Sequence, residues 1–169
     1  MMAAAEDIAK IIEQEQGLVF PAFDEHAAFA IGSIIRERAV CESLGLVVDV
    51  RLWDRPLFYC AMPGTTADNP NWVRRKANTV QRLHKSTYRL VLEAGGKDRL
   101  FPQHRALPAE DFVLAGGGFP IRVKGIGVVG AVTVSGLHER DDHDVVVAGI
   151  CDYLGLAREA FALPLPITT

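Results

Sequence analysis

The chain has 169 residues, of which 49% are hydrophobic and 23% charged, with a formal net charge of −3. This is an ordinary globular mixture, long enough for one self-sufficient core, and it excludes a disordered chain or one that needs disulfides or a metal to fold. The mild acidity excludes a uniformly basic surface of the kind that binds nucleic acid.

Ala3 to Gln16 carries Ile8, Ile11 and Ile12 at helical spacing, with Gly17 as a natural stop. Leu18 to Phe20 reads as a short strand ended by Pro21. Asp24 is an N-cap candidate for a helix from Glu25 to about Ser43, whose small residues Ala27, Ala28, Ala30, Gly32 and Ala39 allow close packing. Leu46 to Trp53 and Leu57 to Met62 form a predicted hairpin around Asp54-Arg55-Pro56. After the loop Pro63 to Thr66, Asn69-Pro70 introduces a helix from Asn71 to about His84. Tyr88 to Glu93 fits either a strand or a continuation of that helix. Gly95 to Asp98 reads as a turn, and Leu107 to Phe112 as a short helical turn. Phe119 to Lys124 and Val128 to Ser135 form a second hairpin. Asp141 or Asp142 is expected to cap a last helix that runs to about Leu154, and Pro164 to Thr169 form a disordered or extended tail. No repeat or linker divides residues 1–169, so one domain is expected. Two hairpins among helices predict an α+β fold, with a mostly antiparallel sheet of about five strands covered by helices.

Cys41, Cys60 and Cys151 are far apart, form no CxxC pair and lie among apolar neighbours. Buried, reduced thiols are expected. Charged residues interrupt the first sixteen positions, so no signal-peptide core is predicted, and the longest apolar runs, such as Val145 to Cys151, are too short to span a bilayer. A soluble, cytoplasmic protein with no membrane partner is expected.

Gly125-Ile-Gly-Val-Val-Gly130 matches GxGxxG letter for letter. A dinucleotide site needs a helix after the glycines, and here a strand follows, so the glycines are assigned to a hairpin turn and close backbone contact. Asp141-Asp142-His143-Asp144 has metal-ligand residue types, but consecutive residues converge on one ion only in a tailored loop, and helix capping accounts for the acids more simply.

The helix 71–84 is the most informative element. It carries Arg74, Arg75, Lys76 and Arg82 and no acid. With about 100° per residue, Val73, Ala77, Val80 and His84 share one face, Trp72 and Leu83 extend it, and Lys76 falls inside the apolar arc. Lys76 and His84 are thus expected to point inward. Two readings stand: Lys76 snorkels along apolar surface while His84 is a satisfied core histidine, or Lys76, aided by Arg75, meets an anionic ligand such as a carboxylate in a pocket. The exposed arginines could equally face acids on a neighbouring subunit. The loop residues Thr65, Thr66 and Asn69, next to Trp72, either line the same site or serve turn and capping chemistry. No GxSxG or HExxH motif is present, and no catalytic residue is assigned.

Gly116-Gly-Gly-Phe-Pro-Ile-Arg-Val-Lys-Gly125, Val128 to Gly136 and Asp142-His143 resemble the haem-degrading-domain family of GlcG-like and HbpS-like proteins. Phe23-Asp24, Leu57-Phe58, Pro63 to Thr66, Asp68-Asn69, Trp72-Val73, Arg75-Lys76 and Asn78 resemble its uncharacterised UPF branch. The resemblance implies a profilin-like fold, a five-stranded antiparallel sheet with helices on both sides, and homo-oligomers. It allows haem as a cofactor or ligand, although His26, His84, His104, His138 and His143 offer axial ligands without any spacing that selects one. The expected function is small-ligand binding by a homo-oligomer. The alternatives are a haem-degrading or other small-molecule enzyme, and an assembly or adaptor protein acting through its surface.

Overall fold

The computed structural model describes residues 2–96 and 98–165. In chain order the elements are α1 (Met2–Gly17), β1 (Val19–Phe20), α2 (Glu25–Cys41), β2 (Val47–Leu52), β3 (Arg55–Ala61), α3 (Asp68–Leu83), α4 (Thr87–Glu93), β4 (Gly118–Val123), β5 (Gly127–Ser135), α5 (Glu139–Leu154) and α6 (Arg158–Phe161), with a 3-10 turn at Gln103–Arg105. The five strands form one open sheet in the order β1-β4-β5-β2-β3. All neighbours are antiparallel except β1 and β4, which run parallel.

Residue alternation along β4 separates the two faces of the sheet. Phe119 and Ile121 join Val48, Val50, Val132 and Val134 in the main core, under Ile31 and Ile35 of α2 and Val146 and Ile150 of α5. A side chain at Gly118 would instead meet Val80 of α3 and Thr87 of α4 at 3.0 and 3.1 Å, so those helices cover the opposite face. Helices therefore lie on both faces. The small residues of α2 serve close packing as expected, because a Cβ at Gly32 would fall 2.2 Å from the Phe58 ring. Asp24 caps α2 by accepting from the Ala27 N–H at 2.9 Å.

Several local expectations are corrected. Residues 88–93 belong to a separate helix, α4. The last helix begins at Glu139 with His138 as its N-cap, so Asp141 and Asp142 sit inside its first turn. The short helical turn expected over residues 107–112 is present, with the Pro108 carbonyl accepting from the Asp111 and Phe112 N–H groups. Cys41 is exposed and Cys60 half-buried, and only Cys151 is a core thiol. The part of the tail from 166 to 169 lies outside the described residues. Among the described residues no helix is long and apolar enough to cross a membrane.

Candidate functional site

α3 packs on the sheet through Val73, Ala77 and Val80, and Lys76 is buried with them. The aliphatic stem of Lys76 suits this face, but its ammonium needs partners. Nζ donates to Asp142 Oδ2 at 2.9 Å and to the Val134 carbonyl at 3.0 Å. Asp142 also accepts from the Leu137 N–H at 3.0 Å. Burial, the largest influence on both groups, lowers the Lys76 pKa and raises that of Asp142, while their mutual attraction opposes it. The negative group that meets Lys76 is therefore internal. Gly117 closes the space at φ +121, where a Cβ would stand 2.5 Å from the Val134 oxygen and 2.9 Å from Nζ. Only glycine fits that combination of backbone and contact.

His84 is not a core histidine. α3 ends at Leu83, and His84 takes the left-handed C-cap conformation at φ 53, which leaves its side chain exposed. Ser86, a helix-starting residue two positions on, was the sequence signal for that break. The buried histidine is His143, whose Nε2 lies 2.7 Å from Gln14 Oε1. Asp142 and His143 are thus drawn to different partners and do not converge on one point, and His138 holds the N-cap position without a side-chain capping bond.

The polar loop is heavily self-bonded. Thr65 Oγ1 donates to the Met62 carbonyl at 2.7 Å. Asn69 Oδ1 accepts from the Thr66 N–H at 2.9 Å, the Thr66 carbonyl accepts from the Asn69 N–H at 3.2 Å, and Thr66 Oγ1 accepts from the Asp68 N–H at 3.3 Å. Asn69 also reaches the Ser135 carbonyl at 3.4 Å. These bonds tie the start of α3 to the end of β5.

The run of cations on α3 has a structural use that its sequence did not disclose. Residues 110–113 lie along the helix and are strapped to it. Arg74 donates to Asp111 Oδ1 at 2.8 Å and to the Glu110 carbonyl, and Asn78 donates to the Asp111 carbonyl at 3.0 Å. Thr79 exchanges bonds with both backbone groups of Val113. Among the described residues the Arg75 side chain makes one long hydrogen bond, to the Phe112 carbonyl at 3.5 Å, and its buried Nε has no partner. Among the described residues Arg75 has no carboxylate partner, and neither does Arg82.

Two surface features result on the outer side of α3. Trp72 lies within 5.0 Å of the Arg75 guanidinium and 5.7 Å of that of Arg99. Its indole N–H donates to Asp68 at 2.8 Å, and Arg99 approaches Glu139 at 3.8 Å. Further along the helix, a cleft of about 520 Å³ is lined by Asn78, Gln81, Arg82, Asp111 and Phe112, with the Arg82 guanidinium 5.9 Å from the Phe112 ring. Arg99 and Phe112 were missed in the sequence reading, because no local pattern links them to α3.

The model of the haem-degrading HbpS-like proteins matches residues 23–151. A UPF0303 protein of Mesorhizobium japonicum is 58% identical over 162 residues, covering 96% of this chain and 97% of its own. Among solved structures, that of the Ybr137w protein has a TM-score of 0.81 at 20% identity and covers 91% of this chain and 93% of its own. That of a PduOC haem complex has a TM-score of 0.65 at 21% identity and covers 77% of this chain and 94% of its own. With more than half of its length matched by the family model, and with that fold, the chain belongs to the HbpS-like family of haem-degrading proteins and resembles its UPF0303 members.

Proposed function

We propose that this protein is a homo-oligomer that binds an anionic small molecule on the outer side of α3, with haem as the first candidate. The observation that carries this reading is Arg75. It is a half-buried guanidinium with no carboxylate partner among the described residues, held over Trp72 and joined there by Arg99. A guanidinium pairs bidentately with a carboxylate, and an indole offers a flat apolar surface. A planar molecule with carboxylate arms matches both. Haem is such a molecule, and the PduOC relative was solved as a haem complex.

The fit to haem is better for its carboxylates than for its iron. His143 is fully buried and bonded to Gln14, so it is closed to an axial role. His138 is exposed and precedes Glu139, the residue that reaches Arg99, and its substitution therefore tests iron ligation. Lys76, with Asp142 as its counter-ion, serves as an anchor beneath the site. Exposed Tyr59 on the edge strand β3, with exposed Phe29 and Val40 on α2, supports self-association.

The test is a haem titration of the purified protein with light scattering in parallel. A saturating Soret shift is expected, weakened at least about tenfold by Arg75→Gln, and altered in position by His138→Ala if that imidazole ligates. A shift that decays with reductant would move the assignment to haem degradation. No shift would overturn the haem reading, and a monomeric mass would overturn the oligomer.

A further inference from the structure

A second cluster of cations lies away from Trp72 and Arg75, where the end of α1 meets the junction of α3 and α4. A cleft of about 510 Å³ is lined there by Glu15, His84, Lys85, Arg89 and Arg122, among others. The carboxylates within reach are already engaged. Glu15 accepts from the Ser86 N–H at 2.7 Å and from Arg89 at 2.7 Å. Glu93 accepts from Lys85 at 3.0 Å and from Arg89 at 2.7 Å.

Arg122 is different. It has no ion pair and no side-chain hydrogen bond among the described residues, although its side chain is only partly exposed. The register of β4 against β5 shifts between Ile121 and Arg122. The extra residue is Val129 on β5, so β4 keeps its alternation: Phe119, Ile121 and Val123 face the main core, and Arg122 faces the side that α3 and α4 cover. Three cations against two spent carboxylates leave a net positive cleft, with a guanidinium and an exposed imidazole as its free donors.

We propose that this cleft is a binding site for a small oxyanion of the phosphate-monoester class, with Arg122 as its principal ligand. The planar fork of Arg122 fits two oxygens of a phosphate, Lys85 and Arg89 add charge around it, and His84 offers a ring nitrogen. A carboxylate presents the same pair of oxygens but a smaller charge. The site is separate from the one on the outer side of α3, so the two proposals stand or fall independently.

The experiment is a calorimetric titration of the full chain at low ionic strength. Inorganic phosphate, phenyl phosphate and succinate are compared, with sodium chloride at matched ionic strength as the blank. Saturable binding of both phosphates is expected, with succinate weaker. Arg122→Gln should weaken phosphate at least tenfold, and Arg122→Lys several-fold, because it keeps the charge and loses the fork. Arg38→Gln, on α2 across the sheet and paired with Glu42, should leave phosphate binding unchanged. If Arg122→Gln does not fold, the Arg122→Lys comparison decides. Tighter binding of succinate would replace phosphate by a dicarboxylate and overturn the assigned class. Equal binding by wild type and both Arg122 variants, a response to phosphate no larger than to chloride, or an equal loss in Arg38→Gln would overturn the site.

Discussion

Lys76 of α3 donates to Asp142 of α5 at 2.9 Å, and both side chains are almost completely shielded from water. The pair joins the helix on one face of the sheet to a helix on the other, past the end of β5, whose Val134 carbonyl accepts a second bond from the same ammonium. Removing either partner strands a charge in a dry place. Lys76→Met is expected to cost about 3–5 kcal/mol, and Asp142→Leu a similar amount. The double variant should recover much of that loss, because two apolar side chains need no counter-ion. Denaturant unfolding of the four proteins measures the cycle. A Lys76→Met protein within about 1 kcal/mol of wild type would mean that the ammonium finds no buried partner.

The two ends of the GxGxxG segment should respond differently to alanine. Gly130 faces Arg51 of β2 so closely that a Cβ would stand 2.0 Å from the Arg51 carbonyl oxygen. Backbone on both sides must then move, and Gly130→Ala is expected to cost about 3 kcal/mol or more. Gly125 lies at φ +76 in the hairpin turn with open space around it, so Gly125→Ala carries only backbone strain of about 1–2 kcal/mol. Unfolding midpoints separate the two, and equal costs would contradict the close approach of β5 to β2.

What could be read from the sequence was what local periodicity controls. The alternation of Val128 to Ser135 gave the strand, and the strand in turn removed the nucleotide reading of its glycines. The helical arc through Val73, Ala77 and Val80 placed Lys76 inside, where it is. The same arc failed at His84, because α3 stops one residue earlier and the chain turns left-handed there. The partner of Lys76 lies 66 residues away, and no spacing rule reaches that far. Arg99 beside Trp72 and Arg122 beside His84 were hidden for the same reason: a site assembled from distant segments leaves no pattern within any one of them.

His143 makes a prediction for acid stability. Gln14 donates through Nε2 to the Phe161 carbonyl at 2.6 Å, which turns its Oε1 toward the imidazole. His143 Nε2 must then carry the proton and donate, so the neutral ring is the form that fits, packed against Tyr88 and Phe119. Burial pushes its pKa from 6.5 down to about 3. Between those values the unfolded chain holds a proton that the folded chain does not. The stabilisation is therefore complete above the ordinary histidine pKa and is lost as pH falls toward 3, at a slope of at most about 1.4 kcal/mol per pH unit. Asp144 acts with the opposite sign: burial raises it from 3.8 to about 6, so the folded chain keeps a proton across that range and stability falls as pH rises through it. A comparison with His143→Asn isolates the histidine, since asparagine can donate to Gln14 but does not titrate. The stability advantage of wild type over this variant should shrink steadily from pH 6.5 to 3.5 in urea unfolding. An advantage independent of pH would mean that the ring is protonated as easily in the folded protein as in the unfolded chain, and that α1, α5 and α6 are not joined by a neutral imidazole.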